Sequence, residues 1–284
     1  MKKIFWYMLL IFIMVVIISL IVITEKTAKP NTNNNKSEKD EKLLLLSNID
    51  KKIDYFNYSY LDRYIAYKEK NSNLSDEDII TRVNIGLDQP FYQNTKQSNN
   101  LNNIAILVNK YIYLPENYTP NNLSIISDSF STSNKKLVYE AKEMFEKMAT
   151  KALEDDYKLR AISAYRSYDY QKGLYDNYLK KDDIDTVDTY SARPGFSEHQ
   201  TGLVVDVDNF ETDFNNFEKT KEFTWMQDNS YKYGFILRYP KDKEEITGYE
   251  YESWHYRYVG VEIATFIKNN DITFDEYYVR YIEK

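Results

Sequence analysis

Cysteine is absent from the chain. Disulfides, thiolate catalysis and Cys-ligated metals are therefore excluded together, although the absence does not fix a compartment. Histidine is scarce, with 2 among 284 residues. Positive charge is in deficit: 37 Lys and Arg stand against 44 Asp and Glu, a formal net charge of -7. An acidic chain without a basic block has no expected nucleic-acid partner. Internal repeats are also missing. Tyrosine, by contrast, is abundant at 28. It accompanies a general richness in Asn, Lys and Ile and reads as a composition bias rather than as a set of sugar platforms.

One long hydrophobic run is present, "IFWYMLLIFIMVVIISLIVIT" over residues 4–24, and it carries no charge. As a helix it would span roughly 30 Å, the thickness of a bilayer core. Lys2 and Lys3 precede it and favour a cytoplasmic N-terminus. The exit "TEKTAKP" offers no small-residue cleavage site. Residues 1–24 are therefore expected to be a signal anchor rather than a cleaved signal peptide, with the remainder of the chain outside the cell. Residues 25–42 are polar, lack apolar periodicity and read as a flexible linker. Residues 43–99 read as a helical spacer region. "YSYLDRYIAYKEKN" has helical spacing, and "NLSDEDIITRVNIGL" is a second helix with Ser75 as N-cap and acids in its first turn.

Residues 100–284 read as one continuous domain. "IAILVNKYIYL" has strand-like content. A long amphipathic helix is expected over Asn134 to Leu153. Strands are expected in "YKLRAISAYRS", "GLVVDVDN", "FILRY" and "SWHYRYVG". Helices are expected in "YDYQKGLYDNYLKK", in "FEKTKEFTWMQDNSYKYG" up to Gly234, and in the two C-terminal segments. This mixture without strict βαβ alternation predicts an α+β fold, a small mainly antiparallel sheet with helices packed around it.

The two histidines carry the chemistry. His199 lies in "FSEHQTGLVVDVDNF", seven residues before Asp206, a carboxylate in a run otherwise so apolar that it needs a partner. Gly202 supplies a turn between them. In the strand, Val205 and Val207 share one face, and Val204, Asp206 and Asp208 share the other. From this segment alone two readings stand equal: a metal joining His199 to Asp206, or a solvated aspartate beside a loop histidine. The second histidine, His255 in "YESWHYRYVG", follows Glu252 by three positions. Two His and one Asp make a three-ligand site with an open fourth position, the layout of a catalytic zinc. Glu252 is then free to act as general base, provided that it sits in the turn leading into "WHYRY". With both histidines on zinc, no serine has one to spare, so an acyl-enzyme route is not expected.

"RPGFSEHQTGLVVDV" and "ESWHYRYVG", together with "LVNKYIYLPENYTP" and "ISAYRSYDYQKGLY", closely resemble the VanY-type D-alanyl-D-alanine carboxypeptidases, zinc peptidases of the bacterial cell wall. The resemblance covers roughly Asn103 to the C-terminus. It implies the zinc D,D-peptidase/Hedgehog-like fold. It also implies Zn2+ held by His199, Asp206 and His255, with Glu252 as catalytic base and Arg166 polarising the scissile carbonyl. Gln171 and Ser197 match positions that help hold the substrate's terminal carboxylate. The implied activity is removal of the C-terminal D-Ala from peptidoglycan stem peptides by zinc-activated water. The alternatives are an L,D-carboxypeptidase, a D,D-dipeptidase, an endopeptidase, or a non-catalytic cell-wall-binding module, the last disfavoured by the intact Glu252. The loop between Lys180 and Tyr190 is expected to separate the specificities. Two departures from the family pattern, Ala164 in place of glycine and Val204 in place of alanine, are expected to add volume near the site. Asp208 is the weaker competitor of Asp206 for the metal. Trp225 and Trp254 are expected in the core or the pocket wall, and Arg193 and Arg257 beside local acids.

Overall fold

The computed structural model describes residues 53–209, 211 and 214–283. The chain divides into two units, Met1–Asp54 and Tyr55–Lys284. The proposed anchor at 1–24 and the linker at 25–42 lie outside the described residues. Among the described residues no helix is long and apolar enough to cross a membrane.

The second unit begins with two helices, α1 (Leu61–Lys70) and α2 (Asp76–Ile85). The Ser75 hydroxyl accepts from the backbone N–H of Asp78 at 3.1 Å, and three acids fill the first turn of α2. This satisfies an orphan donor and complements the helix dipole. At the other end Gly86 takes φ +110, a conformation that favours glycine.

The segment 104–114 alternates as a strand does, but only Ile112–Tyr113 (β2) is one, paired in parallel with Lys96–Gln97 (β1). Upstream, Ala105 and Leu107 enter one apolar core while Ile106 and Val108 enter the other. The segment is thus a wall between two cores. Its carbonyls at Ile104 and Ile106 are satisfied by the Arg257 guanidinium at 2.9 and 2.6 Å instead of by a ladder. The helix expected from Asn134 starts later, as α3 (Tyr139–Glu154). Asn134 has φ +62, and Lys136–Val138 (β4) pairs antiparallel with Leu123–Ile125 (β3). Helical periodicity does take over at Ala141, Phe145, Met148, Ala149 and Ala152, all buried on one face of α3.

A four-stranded antiparallel sheet forms the centre, in the order β5 (Arg160–Ser163), β6 (Val204–Asp208), β8 (His255–Tyr258), β7 (Phe235–Leu237). Val205 and Val207 join the larger core with Phe145 of α3. The opposite face of β6 is covered as well, so all five of its residues are buried. The register sets Asp206 directly against His255, and an irregularity between Ala161 and Ser163 brings Ser163 against Asp206. Helices α4 (Tyr168–Tyr178) and α5 (Ile184–Tyr190) follow β5, and α6 (Lys221–Asn229) precedes β7. The C-terminal segment forms α7 (Val261–Asn270) and α8 (Phe274–Tyr277). It ends in a wider π turn, Tyr278–Ile282, rather than in the regular helix expected there. Phe274 and Val279 share the second core with Ile85 of α2. The α+β class with a small antiparallel sheet is as expected.

Candidate active site

His199 is held by a short 3-10 turn, Glu198–Thr201, whose four residues are all buried. Gly202 closes the turn at φ +68, where an added Cβ would come within 2.9 Å of Leu123 Cδ2. The Thr201 hydroxyl donates to the Glu198 carbonyl at 2.6 Å and accepts from the Leu203 N–H at 3.1 Å. The turn is therefore fixed from both sides. His199 Nδ1 lies 2.6 Å from the Ala164 carbonyl. A carbonyl only accepts, so Nδ1 carries the proton and Nε2 is left with its lone pair.

That lone pair points at the sheet. His199 Nε2 is 3.4 Å from Asp206 Oδ2, and His255 Nδ1 is 3.2 Å from Asp206 Oδ1. One ligand atom from each of His199, Asp206 and His255 falls within 4.8 Å of the others. Asp206 Oδ1 is buried and has no hydrogen-bond partner. Two imidazole nitrogens and a carboxylate oxygen that is itself an orphaned buried acceptor are a donor set suited to zinc. The three predicted ligands are brought together.

Glu252 meets the geometric demand made of it. It precedes the turn into β8, where the His255 N–H reaches the Glu252 carbonyl at 3.3 Å. Its carboxylate Oε2 lies 3.3 Å from His255 Nδ1, and the side chain keeps 13% of its surface open. Arg166 Nη2 donates to Asp206 Oδ2 at 2.8 Å and Nε to Ser163 Oγ at 2.9 Å. Gln171, donating to the Ala192 carbonyl at 2.8 Å, and Ser197 line the same cleft of about 390 Å³. Its aromatic walls include Tyr190, Phe214 and Trp254, with Phe214 and Trp254 packed edge to face. Trp225 instead belongs to the core. Ala164 and Val204 are fully buried and neither lines the cleft, so the expected added volume falls outside the pocket. Asp208 faces Arg160 across the sheet and does not join the cluster.

The electrostatics divide the roles. Burial drives the His199 imidazole down to about 4, with the Arg166 charge adding to the effect. Burial also opposes charge on His255, but Asp206, Glu198 and Glu252 outweigh it and raise that ring to about 9. Asp206 is buried too, yet His199, His255 and Arg166 hold its carboxyl well below the usual range. Burial pushes the Glu252 carboxyl up to about 7, against the pull of His255 and with Asp206 adding to it. A carboxylate poised near neutrality at a cleft is suited to exchanging protons.

One group in the site carries no signal in the sequence pattern. Glu198, beside His199, accepts from Arg238 and Arg257 at 2.9 and 2.8 Å. Burial opposes its charge, and the two guanidiniums overcome that and keep its carboxyl ionised. Arg257 thus pairs with a distant acid rather than a local one, whereas Arg193 does pair locally, with Asp188 at 2.7 Å.

The VanY family, described as D-alanyl-D-alanine carboxypeptidase, matches residues 134–261. The putative carboxypeptidase YodJ of Bacillus subtilis (strain 168) is 45% identical over 186 residues, covering 63% of this chain and 68% of its own length. The chain belongs to the VanY D-alanyl-D-alanine carboxypeptidase family. It is a peptide hydrolase, a metallo-carboxypeptidase with Zn2+ as cofactor. Two solved structures share the VanY fold seen here. The LdcB LD-carboxypeptidase has a TM-score of 0.63 at 42% identity, covering 66% of this chain and 91% of that one. A variant of the vancomycin-resistance D,D-pentapeptidase VanY, in complex with Zn(II), has a TM-score of 0.53 at 32% identity, covering 61% and 97%.

Proposed function

We propose that this VanY-family chain removes the C-terminal D-Ala from peptidoglycan stem peptides as a D,D-carboxypeptidase. The observation that carries the reading is the convergence of His199, Asp206 and His255 within 4.8 Å, with the Glu252 carboxylate 3.3 Å from His255. His199 through Nε2, Asp206 through a carboxylate oxygen and His255 through Nδ1 would hold the zinc. When bound, the metal supplies Lewis acidity toward a carbonyl and toward water. Glu252 takes the proton of the attacking water and returns it to the leaving amine. Arg166, anchored by Ser163 and Asp206, presents its charge where the oxyanion develops. Gln171 and Ser197 orient the terminal carboxylate of the peptide. The hydrophobic run at 4–24 supports anchoring in the bacterial membrane, with the catalytic unit outside.

A second reading is supported by the likeness to the LdcB LD-carboxypeptidase. In that reading the same residues remove the D-Ala of a tetrapeptide, and only the pocket that receives the preceding residue differs.

Glu252→Gln tests the division between ligand and base. The variant is expected to keep its zinc while turnover falls by roughly 100-fold or more. His199→Ala is expected to lose metal and activity together. Metal content by mass spectrometry, with steady-state kinetics on both variants, checks this. Loss of zinc in Glu252→Gln would make Glu252 a ligand, and near-normal turnover would place the base elsewhere.

A further inference from the structure

The far nitrogen of His255 has no partner. Nδ1 faces Asp206 and Glu252, while Nε2 is buried and without a hydrogen bond. Opposite it lies Glu198 Oε2, 3.8 Å away, equally buried and equally unpartnered. The other oxygen of Glu198, Oε1, accepts from both Arg238 Nε and Arg257 Nη1. Both guanidiniums are tied off behind it. Arg238 Nη1 donates to Asp275 Oδ2 at 2.6 Å, and Arg257 donates to the Ile104, Ile106 and Tyr258 carbonyls.

A plain counter-ion role for Glu198 explains only half of this. A carboxylate that merely neutralises two arginines gains most by using both oxygens, in forked or paired contacts. Here both cations crowd onto Oε1, and Oε2 is left at its full desolvation cost facing an imidazole nitrogen 3.8 Å away, with no hydrogen bond between them.

We propose that Glu198 is a positioning residue for the metal centre: its Oε2 keeps the His255 proton on Nε2 and so presents the Nδ1 lone pair to the metal. This rests on the zinc reading of His199, Asp206 and His255. The far nitrogen of a metal-bound histidine is generally held by a carboxylate or carbonyl that fixes its tautomer. His199 obeys the same rule with the opposite hand, since its Nδ1 meets the Ala164 carbonyl and its Nε2 faces Asp206. The two histidines are thus set in opposite tautomers by two different acceptors. One is a backbone carbonyl. The other is a buried carboxylate braced through Arg238 to Asp275 in the C-terminal helix α8.

Glu198→Gln keeps the shape, but its amide cannot accept on both sides. Whichever way it lies, its NH2 group meets either the guanidiniums or the Nε2–H. Competition with a chelator is expected to show the zinc Kd raised by about 10- to 100-fold, with circular dichroism unchanged. Asp275→Asn disturbs the same network without touching Oε2. It is expected to lower thermal stability and leave the zinc Kd close to that of the unaltered chain. Equal weakening in both variants, or an unchanged Kd in Glu198→Gln, overturns the proposal. A measurement on the unaltered zinc-loaded chain does not depend on how either variant folds. With only 2 histidines in the sequence, 15N imidazole spectra resolve both rings. His255 is expected protonated at Nε2 and His199 at Nδ1. A His255 proton at Nδ1 overturns the proposal. An unaltered chain that binds no zinc would instead remove the reading of the site on which it rests.

Discussion

Asp206 sits between two histidines whose proton affinities move in opposite directions, down to about 4 for His199 and up to about 9 for His255. At pH 8, then, His199 is already neutral and Glu252, near 7, is ionised, while His255 still carries its extra proton. Zinc binding must expel that proton from Nδ1. Affinity should therefore rise by about tenfold per pH unit through pH 8 and level off above the His255 value. Calorimetry at pH 8 in two buffers of different ionisation enthalpy should find about one proton released per zinc. A count near zero or two would contradict the assignment. The cluster of His199, Asp206 and His255, with Glu252 beside it, was legible in the sequence because scarce residues marked it: both histidines stand within seven positions of an acid that the surrounding apolar pattern leaves unexplained. Glu198 was not legible. Its partners Arg238 and Arg257 lie 40 and 59 residues away, and no local pattern joins an acid to arginines at that separation.

At the scale of elements, the site depends on where β6 begins. Gly202 turns the chain from His199 into the strand at φ +68, with Leu123 Cδ2 and Pro120 Cγ against the space a side chain would need. Gly202→Ala should cost about 1–3 kcal/mol of stability through backbone strain. Gly173, inside α4, has nothing within 4 Å of an added Cβ. Gly173→Ala should be neutral or stabilise by about 0.4–1 kcal/mol. Denaturant unfolding of both variants checks the contrast, and equal losses would contradict it. The strands β5 to β8 were legible from their β-branched and apolar content, with Gly202, Gly234 and Gly260 marking boundaries of β6, β7 and β8. The start of α3 was not, because Lys136–Val138 carries the same amphipathic pattern as the helix and is claimed by its pairing with Leu123–Ile125. The segment 104–109 misled for the converse reason. Its alternation reflects two cores, one on each side, rather than a sheet.

For the whole molecule, Tyr55–Lys284 is one compact unit, and Ile85 of the early helices shares a core with Phe274 and Val279 near the C-terminus. That long-range closure left no trace in the local pattern of residues 43–99, which reads only as helix. The cleft opens from this unit, with His199, Asp206, His255 and Glu252 among its lining residues and aromatic side chains along its walls. Since the cluster and its supports all lie within the unit, a chain beginning at residue 43 is expected to fold and to act without the segment before it. The most direct test of the account is mass spectrometry of pentapeptide and tetrapeptide stems after incubation with that chain and zinc. The account predicts loss of a single D-Ala from the pentapeptide, abolished by a chelator and restored by added zinc. An untouched pentapeptide beside a trimmed tetrapeptide, or release of a dipeptide, would contradict it.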